Sequence, residues 1–269
     1  MASVYGKQAD RVQATLVAVA NASLDRAVEV FVHGFCFGRS IKHPYEAEKI
    51  AGLWVLRDAP GAKKPRKTEV IAHGIAPEMV FSKIADSVPE WHFVCHMYGP
   101  EESGDKIRSA YKGAGYRAIA TEWTFGHDLR NIPEVVIDPP VKRVLDPADA
   151  DRIAKAARGR QIRDEDLVAD QPKQRLYAVM DSSTVFGWVS SIPVGDAAWV
   201  ANLFVDKKHR GRGLGRALMS KLLLDDSEEG LTASYLLAST AGARLYPHLG
   251  YERIGTMQVF CPAKRLPGG

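Results

Sequence analysis

Three arginines and three glycines share one seven-residue segment, Arg210-Gly-Arg-Gly-Leu-Gly-Arg216. An apolar run typical of a strand precedes it, and leucines at i, i+4 spacing indicate that it opens a helix. Glycines let a backbone approach a bulky anion closely, and the first turn of a helix offers unpaired N–H groups with a partial positive charge. Arginine adds a fork of donors suited to phosphate. The segment therefore predicts a pyrophosphate site.

Three other interpretations of this loop are weaker. A dinucleotide-binding turn needs Gly-x-Gly-x-x-Gly, and the glycine spacing here is different. A P-loop needs Gly-Lys-Ser/Thr, which is absent. Nucleic-acid binding through 207–213 lacks interleaved aromatic residues, and 36 Lys+Arg against 32 Asp+Glu leave a net charge of only +4. A solvated basic loop that caps a helix is the structural alternative.

The pattern Arg210-x-x-Gly213-x-Gly215 after an apolar strand resembles the acyl-CoA pyrophosphate loop of the GNAT superfamily of N-acetyltransferases. A second segment, Leu245-Tyr246-Pro-His-Leu-Gly250-Tyr251, resembles another motif of that family at a typical distance. The resemblance covers about residues 136–262. It implies an acyl-CoA-dependent N-acyltransferase that uses acetyl-CoA as cosubstrate and no metal.

The resemblance also implies roles for particular residues. Backbone groups of Leu203 and Val205 would bind the pantetheine arm, with the acyl carbonyl near Leu203–Phe204, and Tyr246 would protonate the departing thiolate as general acid. Ser239 stands where the family often has an asparagine that touches CoA. The pyrophosphate would be held by Arg210, Gly211, Arg212, Gly213, Leu214, Gly215 and Arg216.

The general base remains open. The family often places a glutamate on the strand before the loop, but Trp199–Val205 contains no carboxylate. His248, Asp196 and a chain of water molecules are the alternatives.

Two segments 135 positions apart are similar: 110–119 and 245–254 share Tyr, Gly, Tyr and Ile at matching places. This repeat predicts two GNAT-like domains, residues 1–131 and 132–269, separated by the proline-rich stretch 131–140. The first is expected to be degenerate, because 75–80, the counterpart of the arginine–glycine loop, has neither glycine nor a basic residue. Tyr111, the counterpart of Tyr246, is then structural.

The fold class predicted is α/β, with a mixed, mostly antiparallel twisted sheet and flanking helices in each domain. Val12–Ala20 is interpreted as a strand and not as a signal sequence. Helices are predicted at Glu46–Ala51, Pro77–Asp86 and Ser239–His248, and Gly195-Asp196 is predicted to join two strands as a hairpin. The first half is expected to lack one strand together with its glycine-rich loop.

Composition fits this expectation: 46% of residues are hydrophobic and 25% charged, typical of a globular protein. Three cysteines without a Cys-x-x-Cys pair favour the reducing cytoplasm. The expected partners are acetyl-CoA and an amine acceptor, either a small molecule or a peptide, with no nucleic acid or membrane, in a monomer or homodimer. The alternative function is a CoA-binding sensor or pseudoenzyme without transferase activity.

Overall fold

A computed structural model describes residues 23–134 and 137–263. The strand predicted at Val12–Ala20 lies outside the described residues. The helices are α1 at 23–39, α2 (Pro77–Ile84), α3 (Gly104–Gly113), α4 (Pro147–Ala157), α5 (Asp164–Val168) and α6 (Leu214–Glu228). The strands are β1 (Tyr45–Ile50), β2 (Leu53–Asp58), β3 (Glu69–His73), β4 (Phe93–Tyr98), β5 (Tyr116–Asp128), β6 (Lys142–Arg143), β7 (Arg175–Met180), β8 (Val185–Val194), β9 (Ala197–Val205), β10 (Ala233–Ser239) and β11 (Glu252–Pro262).

All of these strands join one sheet in the order β1-β2-β3-β4-β11-β5-β10-β9-β8-β7-β6. Only β3–β4 and β9–β10 are parallel, and the other neighbours are antiparallel. The mixed, mostly antiparallel sheet with helices confirms the predicted α/β class. The division at residues 131/132 stays a prediction.

The two halves of the chain exchange their last strands. β5 from the first half lies against β10 of the second, and β11 from the second half lies against β4 of the first. In the β5–β11 pair, Glu122 is opposite Met257, its own counterpart 135 positions later. The sheet therefore has an approximate two-fold axis through this pair.

Helices cover both faces of the sheet. α1, α4 and α5 pack on one face, and α2, α3 and α6 pack on the other. Because Gly34 lacks a side chain, α1 can lie directly on Trp199 of β9: a Cβ at this position would be 2.3 Å from the Cβ of Trp199. Phe31 packs beside it, with its ring 5.1 Å from that indole. This contact fixes α1 beside β9, the strand that precedes the arginine–glycine loop.

Three predicted features need correction. Glu46–Ala51 is not a helix, because Tyr45–Ile50 pairs with β2 over six residues as an edge strand. In the first half, the antiparallel strands β1, β2 and β3 precede β4, which is parallel to β3. The strand that was expected to be missing from the first half is therefore present. Ser239–His248 is not a helix either: turns lead into a short 3-10 segment, Tyr246–Leu249. The Gly195-Asp196 hairpin is confirmed, since Val194 pairs with Ala197.

No helix in the described ranges is long and apolar enough to cross a membrane.

Candidate active site

A cleft opens where β9 and β10 separate. These parallel strands pair only from Ala197 to Trp199, opposite Ala233 to Tyr235. Beyond Trp199 the two strands diverge, and a cleft of about 1110 Å³ lies between them and the start of α6. Its lining includes Val200 to Val205 from β9, except Ala201 and Phe204, and Leu236 to Ser239 from β10.

A break in β9 coincides with this separation. Asn202 has a left-handed φ of 57°, and the β8–β9 register shifts next to it, between Ala201 and Phe204. Beyond the shift, the Asp206 N–H donates to the Phe186 carbonyl on β8. Because peptide groups alternate along a strand, the groups of Leu203 and Val205 point away from β8 and toward the cleft. These are hydrogen-bonding groups that an extended ligand can use.

The arginine–glycine loop closes one end of the cleft. Gly211 and Gly213 have φ values of 76° and 78°, which side chains with a Cβ adopt only at a cost. α6 begins immediately afterwards, and its first intrahelical hydrogen bond is from the Ala217 N–H to the Gly213 carbonyl. The N–H groups of the preceding turn therefore have no carbonyl partner within the helix.

The charge of the cleft is positive. Within the part of the chain that the structure describes, its lining contains no carboxylate but three arginines and two histidines: Arg210, Arg216, Arg244, His209 and His248. Together with the α6 N-terminus, this set favours an anionic ligand. Part of it is already engaged, since Arg210 Nε donates to the Val205 carbonyl at 3.1 Å and His209 Nδ1 lies 2.9 Å from Asp206.

Tyr246 lies in the wall of the same cleft, at the start of the 3-10 segment. Its ring packs against Phe125 of β5 and Tyr251, with centroids 5.4 and 5.7 Å away. Burial raises the pKa of its hydroxyl to about 12. The phenol is therefore protonated at neutral pH and can donate a proton to a stronger base that develops in the cleft.

Ten of the twelve predicted site residues line the cleft: Leu203, Val205, Arg210, Gly211, Gly213, Leu214, Gly215, Arg216, Ser239 and Tyr246. Phe204 and Arg212 do not. The Phe204 side chain points to the opposite face, where it stacks on Trp188 at 4.3 Å, as the alternation along β9 requires. Arg212 is exposed in the loop.

Other lining residues were not predicted as ligand contacts. Asn202, Gly242 and Arg244 lie in the cleft, and Arg244 adds a positive charge. The signal for Asn202 was its position as the polar residue on an apolar strand. Arg244 gave no such signal, because only the turn at 240–245 brings it back to the cleft.

Of the two side chains considered as general base, the structure places only His248 in the cleft. Asp196 lies in the β8–β9 hairpin, at the other end of β9. There it accepts a hydrogen bond from Thr232 Oγ1 at 3.0 Å and pairs with Arg26 at 2.6 Å. These bonds, first of all the one from Thr232, hold the pKa of Asp196 below its usual value. No group of three or more metal-ligating side chains occurs within residues 23–134 and 137–263.

The Acetyltransferase (GNAT) domain family matches residues 172–253, which contain β7 to β10, α6 and both motifs. The uncharacterized N-acetyltransferase YhbS of Escherichia coli K12 is 36% identical over 99 residues, 35% of this chain and 56% of that protein. The chain thus spans about half the length of the curated relatives it matches.

Solved structures resemble the chain well beyond residues 172–253. A GCN5-related N-acetyltransferase from Kribbella flavida aligns with 90% of this chain and 96% of its own, with a TM-score of 0.59 and 16% identity. One from Sphaerobacter thermophilus aligns with 79% and 78%, with a TM-score of 0.52 and 17% identity. At these identities the likeness shows the fold, and the first-half strands belong to it.

Proposed function

We propose that the protein transfers an acetyl group from acetyl-CoA to a primary amine. One observation carries the proposal: an extended cleft with strand peptide groups pointing into it along one side ends at a glycine loop and a helix N-terminus. This sequence of features matches a long ligand with an amide-containing arm and a diphosphate. The acceptor is either a small molecule or a peptide.

The donor set of the cleft fits acetyl-CoA. The peptide groups of Leu203 and Val205 would bind the amides of the pantetheine arm, and Ser239 faces them from β10. The N–H groups of 211–215 with Arg210 and Arg216 would hold the diphosphate, since charge-assisted bonds to phosphate are the stronger kind. Acetyl-CoA supplies an activated acyl group as a thioester.

Tyr246 completes the reaction as general acid. When the amine nitrogen bonds to the acyl carbon, the carbon–sulfur bond breaks, and the thiolate takes the proton of the phenol. A raised hydroxyl pKa keeps this proton available across the neutral range. General acid catalysis of this kind contributes about 10²–10⁴-fold to the rate.

Calorimetry with acetyl-CoA tests the site, with two glycine variants as a matched pair. Gly211 and Gly230 both have positive φ values, 76° and 85°, and an added Cβ would meet nothing within 4 Å at either position. Gly211→Ala and Gly230→Ala should therefore cost similar stability, about 1 kcal/mol. Only Gly211→Ala should weaken acetyl-CoA binding. Equal affinities in both variants, or no binding by the unaltered protein, would contradict the proposal.

A CoA-binding sensor is the second candidate, because none of the described residues that line the cleft is a carboxylate that could receive the proton of the amine. It predicts acetyl-CoA binding without thiol release when spermidine, histamine, glucosamine and a peptide with a free N-terminus are offered. Thiol release with any of them favours the transferase.

We also propose that the protein acts in the cytoplasm as a monomer or homodimer. Cys36, Cys95 and Cys261 are free and buried, which suits a reducing compartment.

A further inference from the structure

The acceptor's amine raises a chemical requirement, if the proposed transfer is correct. A primary amine with a pKa near that of lysine, about 10.4, is protonated at neutral pH and has no free electron pair. It must lose a proton before it attacks. Among the described residues no carboxylate lines the cleft, and its arginines repel an ammonium ion. A carboxylate next to the cleft would solve both problems.

Glu122 of β5 occupies such a place. It is opposite Ser239 of β10 on one side and Met257 of β11 on the other. Residues directly opposite in an antiparallel pair have Cβ atoms roughly 4.5–5.5 Å apart and project from the same face. Ser239 lines the cleft, so the register places Glu122 one strand away from the cleft wall, on the same face of the sheet as Ser239.

The face on which Glu122 projects is the one covered by α1. Met257 belongs to the apolar cluster under α1, and Leu237 of β10 and Ala201 of β9 pack against that cluster. These last two residues flank the gap between the separating strands. The loop and α6 lie on the opposite face. An acyl group held from the α6 face can therefore be approached by an amine from the α1 face.

Glu122 is a carboxylate without a cationic partner in the described ranges. The titratable groups of neighbouring elements that Glu122 acts on electrostatically are Glu69 on β3 and Cys95 on β4. Glu69 is already paired with Arg39 at 3.2 Å and accepts a hydrogen bond from Tyr45. Burial raises the pKa of the half-buried Glu122, so its charge is held at a cost to stability.

We infer that Glu122, supplied by the first half of the chain, binds the ammonium group of the acceptor and takes its proton. The neutral amine then forms the carbon–nitrogen bond, and the carbon–sulfur bond breaks with proton donation from Tyr246. The nitrogen releases its second proton, which restores the phenol, and Glu122 returns the first to solvent. The products are therefore one amide, one thiol and one proton. The acceptor class is accordingly a cationic primary amine.

The test compares Glu122→Gln with Glu46→Gln, which alters an exposed residue on the edge strand β1. Thiol release from acetyl-CoA is measured from pH 6 to 10 with spermidine, histamine, glucosamine and a peptide with a free N-terminus. Glu122→Gln should lower kcat/KM at pH 7 by about 10²–10⁴-fold, the usual contribution of a general base. The deficit should shrink as the pH approaches the pKa of the amine. Glu46→Gln should change nothing.

Two further measurements separate the possible failures. Calorimetry should give the same acetyl-CoA affinity for Glu122→Gln as for the unaltered protein, and the variant should unfold at an equal or higher temperature, because a partly desolvated charge is removed. Full turnover by Glu122→Gln, or no turnover of any amine while acetyl-CoA still binds, overturns this inference and leaves the CoA site standing. Failure to bind acetyl-CoA overturns the proposed function itself.

Discussion

The two parallel strand pairs occupy equivalent places in the sheet but differ in length. Glu122 is opposite Ser239, and its counterpart Met257 is opposite Met97, so Met97 and Ser239 are equivalent positions. On this basis the last β9–β10 pair, Trp199 with Tyr235, corresponds to the first β3–β4 pair. The first half continues for four more pairs, up to His73 with Met97. In the second half β9 and β10 separate after the pair Trp199 with Tyr235, and the cleft begins there.

The tyrosines of the repeat show what this difference does. In the first half, His96 projects from β4 and its Nδ1 lies 3.0 Å from the Tyr111 hydroxyl, while the ring of Tyr111 stacks on Phe260 at 4.0 Å. The position equivalent to His96 in the second half is Ala238, which lines the cleft together with Tyr246. The small side chain of Ala238 leaves space beside Tyr246, whereas the larger His96 fills the equivalent space beside Tyr111. The same topology thus gives a core in one half and a cleft in the other.

The largest expected effect separates these two tyrosines. Tyr246→Phe should lower kcat by about 10²–10⁴-fold with unchanged acetyl-CoA affinity, because only the proton donor is lost. Tyr111→Phe should leave kcat unchanged and lower the free energy of unfolding by about 1–3 kcal/mol, since it leaves the buried His96 without its partner. Steady-state kinetics, calorimetry and denaturant unfolding measure the three quantities. A kinetic defect in Tyr111→Phe would break the comparison.

Substitutions in the arginine–glycine loop and in the basic β2–β3 loop, 63–67, should differ in their effect on acetyl-CoA affinity, by a smaller factor. Arg216→Gln removes an exposed charge from the cleft and should weaken acetyl-CoA binding about 10–100-fold, as expected for a charge-assisted hydrogen bond of about 1.5–3 kcal/mol. Lys64→Gln alters the β2–β3 loop, which does not line the cleft and is held by the Arg66–Asp58 pair. It should leave the affinity unchanged. Calorimetry at low salt checks both, and equal losses would implicate net charge alone.

The stability contributed by the first half, in which His96 is buried, should also decrease at acidic pH. Burial lowers the pKa of His96 from 6.5 to about 4, so the folded state keeps this ring neutral while the unfolded state takes up a proton. Its contribution to stability is complete above pH 6.5 and is lost as the pH falls toward 4. Between pH 7 and 5 the loss should be about 2 kcal/mol. Urea unfolding of His96→Gln should show a pH dependence reduced by that amount. An unchanged slope would count against a neutral, buried His96.

Local signals in the sequence predicted much of the second half. β9 is the strand expected before the arginine–glycine loop, and α6 begins at Leu214 within that loop, because the apolar run and the glycines determine both directly. The helix predicted at Glu46–Ala51 is wrong: Ala, Glu and Lys in this segment favour a helix, but pairing with β2 overrides that preference. Gly242 and Pro247 explain why 239–248 forms turns instead of a helix.

The exchange of β5 and β11 could not be predicted from the sequence. Both strands follow a Gly-Tyr turn and have similar patterns, so each is compatible with either neighbour. Only the long-range register shows that Glu122 lies beside Ser239. For the same reason the motifs predicted residues that line the cleft and did not predict Glu122, which is remote in sequence from all of them.

The exchange of strands also constrains how the chain can fold during synthesis. The edge of β4 that β11 covers stays open until residues 256–260 have been made, although β4 itself ends at residue 98. Contacts between residues so distant in sequence form slowly, and an unpaired strand edge invites association with other chains. A ribosome that stalls after the arginine–glycine loop would therefore hold a first half that is fully translated and still prone to aggregate.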